Sequence, residues 1–207
     1  DQSGSNAFES DNDADGSLLT PVTSPLFSNI TALGPLTVTA TLPAETKHEK
    51  ALHLRRGTIT SVYNSVFAGF PQGLSIDGQK GNSPTRADQN DLQIENTILA
   101  GMTVNFVEKT GTVAVPYTVA QHAAWFEVTA RNNSHNLTVA DVIGSSLISL
   151  TSPNLLPSAG SPLLSGASFT NSRLTDPFFT PTTFRGAFGT ENWTSGWCNW
   201  NPQNTVY

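Results

Sequence analysis

Four carboxylates stand within seven residues near the start of the chain: Glu9, Asp11, Asp13 and Asp15. The last three, followed by Gly16, have the D-x-D-x-D-G spacing of a calcium loop. Alternate carboxylates there converge on a hard cation, and the glycine permits a sharp turn. The twelfth position is Val22 rather than a bidentate Glu, which excludes an EF-hand. Asp11, Asp13 and Asp15 thus carry an expectation of bound calcium, set against the plainer reading of a solvated acidic loop.

Two further groups have the residue types for chemistry. Lys50, His53, Arg55 and Arg56 supply bases, and Asp77, Asp88, Asp91 and Glu95 are candidates for the paired carboxylates of glycoside hydrolysis by residue type alone. Charged residues usually sit on solvated faces. The alternation in ALHLRR puts His53 opposite Leu52 and Leu54, which predicts a solvated histidine. The other group is Trp193, Trp197 and Trp200 with Phe184 and Phe188. Such rings suit either a platform for sugar rings or a bulky plug at the end of a fold. The plug is favoured, because large aromatic side chains are mostly buried.

The elements that must position these residues are written in a threefold repeat. FSNITALG at 27–34, VYNSVFAG at 62–69 and IENTILAG at 94–101 each open on an apolar residue, carry Asn third and close on Gly eighth. Asn29, Asn64 and Asn96 thus recur at spacings of 35 and 32, the pattern of a solenoid with variable loops. PLTVTATL, FPQGLSID and MTVNF follow the copies and alternate with period two, as strands with one buried face do. Stacked coils would pair as parallel strands about 4.8 Å apart. Their Asn amides would bond one another in a column. An antiparallel β-sandwich with coincidental Asn positions is the alternative.

Residues 1–25 read as a polar, acidic loop or return segment, 78–90 as an exposed excursion between coils, and 116–130 as a short helix. The segment 131–145 reads as a return to strand through LTVADVIG, and 146–174 as a wrapping segment. These place the solenoid coils in 1–174 and a C-terminal aromatic cap of the same domain in 175–207, since an uncovered solenoid end would template aggregation. His122 with Trp125 reads as packing, and His135 as isolated.

Composition narrows the classes further. Charged residues are 13%, and five of the 16 acids fall in the first 15 residues, leaving 11 acids against 10 bases. A body so close to neutral argues against nucleic acid as a partner. No run approaches 18 apolar residues, so no transmembrane segment is expected. Cys198 stands alone, which forbids an intrachain disulfide. Few charges with abundant Thr, Ser, Asn and Gly suit an extracellular or outer-cell-surface protein.

NAFESDNDADG, ALHLRRGTITSVYNSVFAGFPQGLSIDG and FRGAFGTENWTSGWCNWNPQ resemble the C-terminal part of a group of surface proteins of Bacteroidota-type bacteria. That group has no settled activity and is identified with right-handed parallel β-helices of the pectate-lyase-like kind. The resemblance spans 6–207 and is weakest over 113–146. It implies that further N-terminal coils are partners of this chain. It also implies a comparison with polysaccharide lyases of similar fold, which combine calcium with an Arg or Lys base. The order and spacing of Lys50, His53, Arg55 and Arg56 match no such motif. The expectation is therefore an all-β, right-handed parallel β-helix, non-catalytic, serving adhesion, glycan binding or assembly with a polysaccharide or cell-surface partner. A carbohydrate lyase or hydrolase with part of its site outside this chain is the alternative.

Overall fold

The structure, a computed structural model, describes residues 5–206. Its strands form coils. The first coil holds β1 (Phe8–Ser10), β2 (Leu26–Ser28) and β3 (Thr31–Leu33), and the second β4 (Lys50–Arg55), β5 (Ser61–Tyr63) and β6 (Val66–Ala68). The third holds β7 (Gln72–Asp77), β8 (Ile94–Glu95) and β9 (Ile98–Ala100), and the fourth β10 (Val104–Phe106) and β11 (Ser134–Leu137). Equivalent strands of successive coils pair in parallel. They give sheets of order β1-β4-β7-β10, β2-β5-β8 and β11-β9-β6-β3. This is a parallel β-helix, and the sandwich alternative is excluded because the strand pairs are parallel.

Each octet turns out to be two strands around a corner. Asn29, Asn64 and Asn96 have φ of 58°, 51° and 52°, the left-handed conformation that Asn tolerates best after Gly. The register Ser28↔Tyr63 and Tyr63↔Glu95 stacks these corners one above another. Asn132 continues the column at φ 51°, although its octet opens on the small Ala130 and closes on Leu137 instead of Gly.

Inside the coils, residues in register pile into columns: Phe8–Leu52–Leu74–Phe106, Phe27–Val62–Ile94 and Ala32–Phe67–Leu99. A second apolar layer lies outside β6 and β9. There Val66, Ala68, Ile98 and Ala100 are covered by α3 (Val139–Ile143) and Leu163. Three local expectations need correcting. PLTVTATL after Gly34 is not a strand, because Pro35 opens a 3-10 turn over Pro35–Thr37. VADVI is helical rather than extended, because Thr138 and Asp141 form a capping box. The acidic 1–25 segment contains β1, which pairs with β4.

The remaining helices sit in the excursions. α1 (Ser83–Asp88) starts with Pro84 in its first turn. α2 (Val119–Phe126) begins at Thr118, whose side chain accepts from the Gln121 N–H while Gln121 caps in return. Helix α2 covers the last coil: Phe126 is buried against Phe106, and the Trp125 indole N–H donates to Ala87 O at 2.9 Å. His122 takes the place of a further strand, with Nε2 accepting from the Ile76 N–H at 2.9 Å. Its Nδ1 then carries the proton and donates to Thr118 O at 2.8 Å. Packing is indeed the role of His122, and burial holds its pKa below the ordinary histidine value.

From Leu163 onward the chain runs as a strap along the Asn column towards the first coil. Asn132 donates to Gly166 O at 3.4 Å, and Asn64 exchanges two bonds with the Ser168 backbone at 2.8 and 3.0 Å. Asn29 donates to the carbonyls of Phe184 and Gly186. The expected amide-to-amide ladder between Asn29, Asn64 and Asn96 is therefore not formed; the amide-to-amide bond in the column is a step further on, Asn132 Nδ2 to Asn96 Oδ1 at 3.0 Å. At Asn64 and Asn29 the strap takes the side chains instead.

Candidate functional site

The outer face of the β1-β4-β7-β10 sheet gathers charge because alternation points Leu52, Leu54, Leu74 and Ile76 inward. Glu9, His53 and Ser75 share one row, and Arg55 sits beside Asp77 in the next. Arg55 Nη2 lies 2.6 Å from Glu9 Oε1, and its Nε donates to Asp11 Oδ1 at 2.6 Å. Arg56 Nη1 reaches Asp11 Oδ2 at 2.7 Å. His53 Nε2 is 3.1 Å from Asp77 Oδ2, with both residues buried. The expectation of a solvated His53 is thus overturned: Asp77, the last residue of β7, reaches it from the next row of the same sheet face. Burial alone would raise Asp77, but the bonds from His53 and the Gln79 N–H outweigh it, and the carboxyl stays below the usual range.

The residues expected to hold calcium are engaged separately. Both Asp11 oxygens are taken by Arg55 and Arg56. Asp13 accepts from the Ser17 hydroxyl and from the backbone of Ser17 and Asp15, and these bonds lower its pKa. Asp15 points to Lys80 at 3.4 Å and is largely exposed. Among the described residues no three metal-ligating side chains converge, so this donor set does not fit a calcium cage as it stands. The other candidate carboxylates are likewise occupied and dispersed. Asp88 accepts from Tyr117 OH, Asp91 pairs with Arg86, and Glu95 accepts from Asn171 on the strap. His135 is not isolated: its Nε2 is 2.6 Å from Glu127 Oε1 and its ring meets Phe106 edge-on.

The C-terminal aromatic residues are placed differently from a buried plug. Phe188 is buried, but Trp193, Trp197 and Trp200 are 51%, 68% and 42% exposed. The segment lies beside the outer face of β3, where Ala187 N–H donates to the Thr31 hydroxyl, while α2 covers the last coil. Phe188 and Trp193 stack with centroids 5.4 Å apart and 16° between planes, and Trp193 and Trp197 follow at 5.8 Å and 26°. The indole N–H groups are satisfied internally, Trp193 by Ala187 O and Trp197 by Trp193 O. The Trp193 and Trp197 rings are thereby held in orientation while more than half of each residue stays exposed. Beside them opens an apolar cavity of about 370 Å³ lined by Leu33, Ile148, Leu155, Phe188, Trp193 and Trp200. The expectation of a buried plug therefore does not hold for the three indoles, whose placement depends on the strap.

Fold and site together define a coil-stacked β-helix with a charged sheet face and an external aromatic array. A family model for the pectate-lyase-like β-helix domain matches residues 1–145, and the chain belongs to that family. No curated protein matches significantly, and no solved structure does. Among the described residues no helix is long and apolar enough to cross a membrane.

Proposed function

We propose that this chain is an extracellular or cell-surface β-helix module that binds a glycan without catalysing its cleavage. The observation that carries the reading is the indole array: Trp193, Trp197 and Trp200 present their rings to solvent beside an apolar cavity. A sugar ring offers an apolar C–H face that packs on an indole, while its hydroxyls stay hydrated. Held rings lose little conformational freedom on binding, which favours affinity. The many Thr and Ser side chains and the low charge suit that setting.

The charged sheet face supports catalysis less well. Arg55 and Arg56 are neutralised by Glu9 and Asp11, which leaves neither as a free base. The buried His53–Asp77 pair is the one observation that favours the enzymatic alternative, a carbohydrate lyase or hydrolase. One experiment separates the readings. A glycan array probed with the chain should give saturable binding that Trp197→Ala weakens by about tenfold, the worth of one stacked ring. No binding to any glycan would sink the proposal. Shortening of a bound glycan, lost in His53→Gln, would replace it with the enzymatic one.

A further inference from the structure

Arg185 stands apart from the other arginines of the chain. Arg55, Arg56 and Arg86 pair with carboxylates. Arg131 has a buried Nε and Nη1 without partners, but it donates to Asn90 and lies 4.3 Å over the Trp125 ring, and Arg173 donates to Ser61 and to the Asp91 carbonyl. Arg185 is only 7% exposed, yet its guanidinium has no acceptor among the described residues, and its Nε is sealed from solvent with no partner. A buried guanidinium without an anion or a full set of acceptors is a costly arrangement.

The side chain is also held in place. Its own N–H donates to Leu163 O at 2.8 Å, the Phe184 carbonyl before it takes the Asn29 amide, and the Gly186 N–H after it reaches Asn64 O. The guanidinium lies against Gly166, whose φ is +83° and where any Cβ would collide with it. Thus the strap is built around the guanidinium, and the groups around it supply no counter-charge. Burial pushes the Arg185 pKa down, and no acid offsets that push.

We propose that Arg185 is the cation of a recessed oxyanion site on the strap, taking the carboxylate or sulfate group of an acidic glycan. The planar guanidinium matches two coplanar oxygens in a way a lysine does not. The glycan as the source of the anion rests on the function proposed above; the oxyanion site itself does not. Two residues further on, Ala187 O holds the Trp193 indole N–H at 2.8 Å. One short stretch of backbone therefore anchors both the guanidinium and the ring array, which links the oxyanion site to the glycan reading.

The test uses the whole chain with sodium sulfate, trigalacturonate and the neutral cellotriose as probes. Thermal unfolding in sulfate is compared with chloride at equal ionic strength for the wild type, Arg185→Gln and Arg185→Lys. The wild type should gain about 2–4 °C more from sulfate than Arg185→Gln does, with Arg185→Lys in between. If Arg185→Gln does not fold, the wild-type Arg185 Nε–Hε resonance is followed by NMR instead, and it should shift saturably with sulfate. Equal gains in all variants, or a shift that never saturates, would overturn the site. Trigalacturonate should then bind at least tenfold more tightly than cellotriose. Equal binding of the two probes, with the sulfate response intact, would place a free oxyanion there and remove the acidic glycan. Loss of all glycan binding with the sulfate response intact would strike the proposed function and spare the oxyanion site.

Discussion

The two ends of the coil stack are finished in different ways. At the last coil, α2 lays Phe126 on the core column and offers His122 Nε2 to the Ile76 N–H, so apolar surface and a backbone donor are covered by one insertion. At the first coil, β1, β2 and β3 stand at the edges of their sheets, and Phe8, Phe27 and Ile30 are only partly buried. Cavities of about 770 and 570 Å³ open there, the second lined by β2 residues and by Phe178, Phe179 and Phe184 of the C-terminal segment. The Asn column divides the same way. Near the last coil, amide bonds amide; near the first, the strap takes over. A solenoid end needs both an apolar cover and backbone partners. One insertion between β10 and β11 meets both needs at the last coil, whereas at the first the loop after β3 and a segment distant in sequence share the edge and leave cavities between.

The contrast can be broken most directly at its aromatic residues. Phe126→Ala should cost about 3–5 kcal/mol in urea-induced unfolding, as expected for a fully buried phenylalanine. Phe27→Ala at the first coil, already partly exposed, should cost less than half as much. Equal costs would mean that the two ends are equally well closed.

A smaller effect is expected where the strap meets the column. Asn64→Leu removes the acceptor of the Ser168 N–H and puts a branched side chain at φ 51°. It should cost about 1–3 kcal/mol. Amide exchange at Ser168 and Gly186 should quicken, while β10 and α2 keep their protection. Asn64→Gly, which tolerates the corner but lacks the amide, should lie between. Uniform loosening of both ends would show that the strap is not a separate unit.

The smallest effect is one of pH. His122 is held neutral, so the unfolded chain binds a proton more readily than the folded one. The stability from neutral His122 is complete above the ordinary histidine pKa of about 6.5 and is lost as pH falls through that value towards the lower folded pKa. Melting temperature should therefore drop between pH 7.5 and 5, and His122→Gln should flatten that part of the slope. An unchanged slope in the variant would assign the acid sensitivity elsewhere.

The coils were legible because their signals are local. A left-handed corner selects Asn or Gly wherever it occurs, and alternation marks an inward face without knowledge of what lies behind it. The Asn132 corner is harder to read. It stands 36 residues after Asn96, but its octet opens on a small Ala130 and has Leu137 in place of the closing Gly, so the spacing is the main signal. α2 was visible in outline, though its start is Thr118 rather than Pro116. The charged residues were not legible as a site. Residue type does not say that Asp11 would be claimed by arginines 44 and 45 positions away, nor that Asp77 would bury His53.

By itself, then, the sequence determined the repeating corner, the inward columns and hence the parallel stacking, because backbone preference and side-chain period act over a few residues. Only the tertiary structure decided which amides bond each other and which bond the strap, that the three indoles stay outside, and that Arg185 is buried without a counter-charge. Those outcomes depend on contacts such as Asn64 with Ser168 and Asn29 with Phe184, 104 and 155 residues apart. No local preference encodes a partner at that separation; it is selected by what the folded coils leave uncovered.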